Sequence, residues 1–181
     1  AHVLAGLGPW FAHNGRAAET AALCAEAVAI GDVIGVPVVW AMIPLGVAQG
    51  ALGDLETGLA TLDAAQATAE AGGSTYDIAR AMGFRVRALL EAGLNDETVT
   101  ASIEAEAWAA GHGMAAGWGV NDALGRAEAL MPLGRWDEAA DAIRGTQSYG
   151  RSLADHWVER QAALLEALRG QFESARERLA R

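Results

Sequence analysis

Arg80 and Arg87 lie seven residues apart, two turns of a helix, so both side chains leave the same face. A guanidinium is a rigid planar fork that fits carboxylate or phosphate in two places at once. Phe84 sits between them in the same register. Trp40, Trp118 and Trp157 add aromatic anchors, and Asn121 and Glu128 add polar groups. Trp and Arg are the side chains that most often dominate binding energy at recognition surfaces. This set suits holding a ligand more than transforming one. Catalysis needs convergent titratable groups, and the sequence offers few. His2, His13, His112 and His156 are scattered, without metal-ligand spacing. Glu104 and Glu106 near His112 make a poor metal set, because residues two apart on a helix point away from each other. No G-x-S-x-G is present. No catalytic residue, metal ligand or cofactor is expected.

The composition narrows the class further. The chain has 181 residues, 52% of them hydrophobic and 20% charged, with a mean hydropathy of +0.15. That is enough apolar material for one core or one run of repeats. All 13 basic residues are Arg. The absence of Lys excludes a P-loop lysine, a Schiff-base lysine and a kinase-type lysine. The net charge of −10 argues against nucleic acid as a direct partner, since phosphate binding needs a basic face. The single Cys24 fits a reducing cytosol, and a cytoplasmic location is expected. No run is long and apolar enough to suggest a membrane span, and no basic leader precedes an apolar stretch. The segment from Val33 to Val47 is apolar but holds Gly35, Pro37, Pro44 and Gly46, and reads as a helix buried in protein. The chain opens at Ala1 without Met and stops at Arg181 within a helical pattern, which reads as a piece of a larger protein.

Ala, Leu, Glu and Arg dominate, and all favour helix. No stretch alternates in the manner of a strand. Five turns share one pattern, at Gly15, Gly53, Gly93, Gly134 and Gly170, with spacings of 38, 40, 41 and 36 residues. In most of them an acidic residue follows three or four positions later, and a small residue usually stands at the fifth. Gly ends one helix in the left-handed conformation, and acidic residues open the next. Asp54, Asn95 and Asp137 stand where a cap or first-turn acid belongs. Seven positions before each turn glycine lie Gly8, Gly46, Val86, Ala127 and Ala163, and five after lie Thr20, Gly58, Thr98, Ala139 and Ala175. Small residues here let two helices of a hairpin cross closely. Periods of this length mean stacked helical hairpins. They fall roughly at 1–32, 33–72, 74–112, 113–148 and 151–181.

Gly134-Arg135-Trp136-Asp137-Glu138-Ala139 resembles the turn between the two helices of a tetratricopeptide (TPR) repeat. The resemblance covers nearly the whole chain, although these repeats exceed the usual 34 residues. It implies an all-α, right-handed superhelix of about five stacked antiparallel helical hairpins, a TPR-like α-solenoid. Phrases such as Ala51-Leu52-Gly53-Asp54-Leu55-Glu56 and Leu168-Arg169-Gly170-Gln171-Phe172-Glu173, with the lack of Lys, are similar to the helical-repeat region of large ATP-binding LuxR-type transcriptional regulators of bacteria. That resemblance implies an interaction or sensor module in signal transduction.

In such a stack the first helix of each hairpin lines the concave face. Counting back from the turn glycines puts Trp40, Arg80, Asn121 and Trp157 at one level of that face. Phe84 lies at a second level, Arg87 and Glu128 at a third, and Trp118 one turn before Asn121. The expected partner is a protein, peptide, small-molecule effector or intramolecular segment held there, with a homodimer also open. A constitutive protein–protein scaffold is the alternative reading, and a small all-helical enzyme a remoter one. Trp136 and Phe172, just after their turn glycines, are expected to staple their hairpins. Acidic second helices, Glu106 among them, are expected to face solvent.

Overall fold

The computed structural model describes residues 15–147 and 155–180, and every regular element among them is helical. The helices are α1 (Ala17–Ile34), α2 (Val39–Ala51), α3 (Leu55–Ala71), α4 (Thr75–Glu91), α5 (Asn95–Gly111), a π-helical turn (Ala115–Gly119), α6 (Val120–Leu130), α7 (Trp136–Thr146), α8 (Asp155–Leu168) and α9 (Phe172–Leu179). The chain divides into two compact units, Ala1–Ala92 and Gly93–Arg181. The boundary falls at the turn of the third expected hairpin, so α4 closes the first unit and α5 opens the second.

Glycines in the left-handed region punctuate the helices. All five expected turn glycines have positive φ, between 71° and 95°. A second series, Gly35, Gly73 and Gly113, has φ of 67°, 69° and 73° and marks the connections between hairpins. The apolar stretch expected to form one buried helix is therefore split. Gly35 ends α1, Pro37 precedes α2, and Val33, Ile34 and Val36 are exposed. A left-handed glycine followed by a proline stops the first helix and forces extended backbone before the next.

Caps set the starts of α3 and α4. Asp54 accepts the backbone N–H of Thr57 at 3.2 Å, as its position suggested. Ser74 accepts the N–H of Asp77 while its hydroxyl donates to the Asp77 carboxylate at 2.8 Å. Removing that cap by Ser74→Ala is expected to cost about 1 kcal/mol, measured by chemical denaturation. Asn95 and Asp137 instead lie within the first turns of α5 and α7.

In the first unit α2 packs against α1, α3 and α4. Its core gathers Ile43, Leu62, Ala65, Ala81 and Ala88, with Phe84 and Leu55 against it. Gly46 and Gly58 face each other across α2 and α3. A β-carbon on Gly46 would come within 2.7 Å of the Gly58 carbonyl oxygen, and one on Gly58 within 2.6 Å of the Gly46 carbonyl oxygen. The two backbones touch there. In the second unit α6 packs against α5 and α7, and α8 against α6, α7 and α9. Buried alanines, Ala127 with Ala139 and Ala163 with Ala175, take the same two positions of the repeat.

The column nine residues after the turn glycine is buried at Cys24, Leu62, Ser102 and Ile143, but Leu179 is 65% exposed. Phe172 is also exposed, at 69%, and so does not staple its hairpin as expected. Trp136 does, donating its indole N–H to the Met131 carbonyl at 3.1 Å.

Candidate functional site

The eight side chains singled out from the sequence divide evenly between the units, and all are half-buried. Trp40, Arg80, Phe84 and Arg87 belong to the first unit. Trp118, Asn121, Glu128 and Trp157 belong to the second.

In the first unit Arg80, Phe84 and Arg87 occupy positions i, i+4 and i+7 of α4. Trp40, which the repeat register puts at the level of Arg80, lies on α2, which packs directly against α4. Arg80 stacks on Phe84, its guanidinium carbon 5.9 Å from the ring centroid, within cation–π range. Phe84 is anchored in turn against the core cluster. Arg87 pairs with Glu91 one turn along, at 2.6 Å. Arg16 pairs with Glu19, and Arg85 with Asp63 of α3. Among the described arginines of this unit, Arg80 alone holds no carboxylate. Asp77, one turn before it, is engaged by Ser74. Burial pushes the Cys24 thiol up, and the positive charge of Arg80 partly offsets this. The field of Arg80 thus reaches as far as α1.

In the second unit the Glu128 carboxylate accepts a hydrogen bond from Gln161 at 2.7 Å, linking α6 to α8. Gln161 is 1% exposed, and its carbonyl oxygen has no partner. The indole N–H of Trp157, one turn earlier on α8, is also buried and unpaired. Glu128 is therefore committed to Gln161, while Trp157 keeps a buried donor without a partner. Trp118 lies in the π turn and Asn121 in the first turn of α6. Arg178 of α9 binds Glu159 and Glu166 of α8, each at 2.7 Å.

Two features escaped the sequence reading. Glu106, expected to face solvent, is half-buried and grips Arg126 through two hydrogen bonds of 2.8 and 2.9 Å. Burial raises its pKa, and Arg126 opposes that rise. A signal was present: Arg85 and Arg126 both stand eight residues before a turn glycine, and each reaches an acid on the second helix of the preceding hairpin. The second is Asp122, only 2% exposed and without a hydrogen bond or ion pair among the described residues. Its carboxyl is pushed up to about 8 by burial and by the charge of Glu106. Among the described residues no group of three His, Cys, Asp or Glu could hold a metal ion, and no helix is long and apolar enough to cross a membrane.

No family model matches the chain, and no curated protein matches it significantly. Solved structures do. The backbone is similar to that of a kinesin light chain-like protein of Podosopora anserina with nearly identical TPR-like repeats. The TM-score is 0.71 at 17% identity, over 99% of this chain and 91% of that one. It is also similar to MamA of AMB-1, with a TM-score of 0.58 at 22% identity, covering 98% of this chain and 94% of that one. MamA of MSR-1 gives 0.56 at 21% identity, over 98% and 91%. The fold is therefore of the all-α, TPR-like helical-repeat class.

Proposed function

We propose that the chain is a non-catalytic helical-repeat interaction module whose first unit binds an acidic peptide segment, or another carboxylate-bearing partner, on the face shared by α2 and α4. The observation that supports it is Arg80. The other described arginines of that unit are neutralised by a carboxylate of the same unit, whereas Arg80 is half-buried, stacked on Phe84 and left with its guanidinium uncommitted to an anion. A guanidinium pre-oriented on an aromatic ring loses less freedom on binding than a mobile one. In an otherwise acidic chain it also selects for negative partners. The resemblance of the turn phrases to those of large LuxR-type regulators fits a setting in which this face reads an effector or an intramolecular segment in the cytoplasm. Binding would pass to an output domain only if the partner prefers one of two arrangements of the helices.

Fluorescence anisotropy with labelled acidic, neutral and basic peptides tests this reading. The acidic peptides are expected to bind, and Arg80→Ala to weaken them by about tenfold or more. Equal binding of the basic peptides, or an Arg80→Ala chain that binds as tightly as the parent, would overturn it.

A further inference from the structure

The second unit contains a cavity of about 90 Å³, bounded by α5, the π turn, α6 and α7. A water takes up about 30 Å³ in the liquid, so the space equals that of about three waters and suits only a very small solute. Its apolar wall is made of small residues, Ala115, Ala123 and Ala142 among them. Its polar wall is made by Glu106, Arg126 and Thr146. π-helical turns open a helix locally and recur at functional sites, and here one forms part of the lining.

The polar wall has spare bonding capacity of both signs. Arg126 uses one N–H each of Nε and Nη2 on Glu106, which leaves three N–H groups, two on Nη1 and one on Nη2. Each oxygen of Glu106 accepts one of those bonds and keeps a lone pair. The Thr146 hydroxyl donates to the Ile143 carbonyl at 2.7 Å and can still accept. The Arg126–Glu106 pair holds both charges in fixed geometry, so a ligand need not organise them.

We propose that this cavity binds a small zwitterion, an α-amino acid about the size of glycine or alanine, with its carboxylate on Arg126 and its ammonium shared by Glu106 and Thr146. A simple carboxylate would meet the repulsion of Glu106, and a simple amine that of Arg126. A volume of about 90 Å³ does not take in a long side chain as well. The site is separate from the Arg80 face and does not depend on the reading given for it.

Isothermal titration calorimetry of the whole chain with glycine, L-alanine, L-leucine, acetate and methylamine tests the assignment. Glycine and L-alanine are expected to give saturable heat. Acetate and methylamine should bind at least about tenfold more weakly, and L-leucine not at all. Glu106→Gln should weaken glycine by about tenfold or more, and Ala142→Leu, which fills the cavity, should abolish binding. If Ala142→Leu does not melt cooperatively, Ala123→Val asks the same question with a smaller intrusion. The proposal fails if no zwitterion gives saturable heat with the parent chain, if acetate alone matches glycine, or if a folded cavity-filling variant binds as the parent does.

Discussion

Replacing Asp122 by asparagine is expected to stabilise the chain at neutral pH and to flatten the pH dependence of its stability. Asp122 stands twelve residues before its turn glycine, a position filled by the buried side chains Ala41, Ala81 and Val158 in other repeats. A carboxyl there is desolvated, lies in the field of Glu106 and keeps its proton up to about pH 8. In the unfolded chain the same group ionises near its ordinary value of 3.8. Below about pH 3 both states are protonated and Asp122 adds no pH dependence. As pH rises from there toward 8, the unfolded chain releases a proton that the folded chain retains, so folding becomes progressively less favourable. At pH 7 this amounts to roughly three pH units, a cost on the order of 4 kcal/mol. Asn keeps the shape and cannot ionise. Urea denaturation of both chains between pH 4 and 8 should give curves that diverge as pH rises, with Asp122→Asn the more stable. Parallel curves would show that Asp122 is solvated or paired in solution.

Gly58→Ala is expected to act strongly in the other direction. Its new methyl would stand 2.6 Å from the Gly46 carbonyl oxygen and 2.9 Å from the Gly50 nitrogen, both backbone atoms that cannot turn aside. α2 and α3 would have to separate and loosen Leu62 from its place in the core. Overpacking of this kind costs about 1–3 kcal/mol or more. Alanine returns up to about 1 kcal/mol through helix propensity, so a net loss of roughly 1–2 kcal/mol and a fall in Tm of roughly 2–8 °C are expected. Gly50→Ala is the contrasting case. It stands in the same helix pair, but its methyl would meet only the flexible Leu55 side chain at 3.7 Å. It should leave stability unchanged or raise it by up to about 1 kcal/mol. If both variants shift Tm alike, the close crossing of the two helices is wrong.

How much of this was legible in the sequence depended on whether an interaction was local. The turn at Gly53 was legible, because a left-handed glycine and the Asp54 cap are properties of a few consecutive residues. So was the Gly46–Gly58 crossing, since the repeat places two residues without side chains opposite each other. The connections at Gly35, Gly73 and Gly113 carry the same signal and could have been read with the first series. Asp122 was not legible, because a single carboxylate within a helical pattern looks the same whether it faces water or a core. The Arg126–Glu106 pair spans 20 residues and two helices, and only its recurrence as Arg85–Asp63 hinted at it. The candidate face was located by register, but register does not say which arginines are already neutralised. That Arg87 is held by Glu91 while Arg80 stands free of a carboxylate depends on side-chain placement, which register does not set.

The central claim is that the face of α2 and α4 receives a partner through Arg80. Hydrogen–deuterium exchange with and without a saturating acidic peptide tests it directly. Slower exchange is expected in Val39–Ala51 and Thr75–Glu91, and that protection should be lost in Arg80→Ala. Protection confined to α3, with α2 and α4 unchanged, would place any partner on the opposite side of the hairpin and contradict the account.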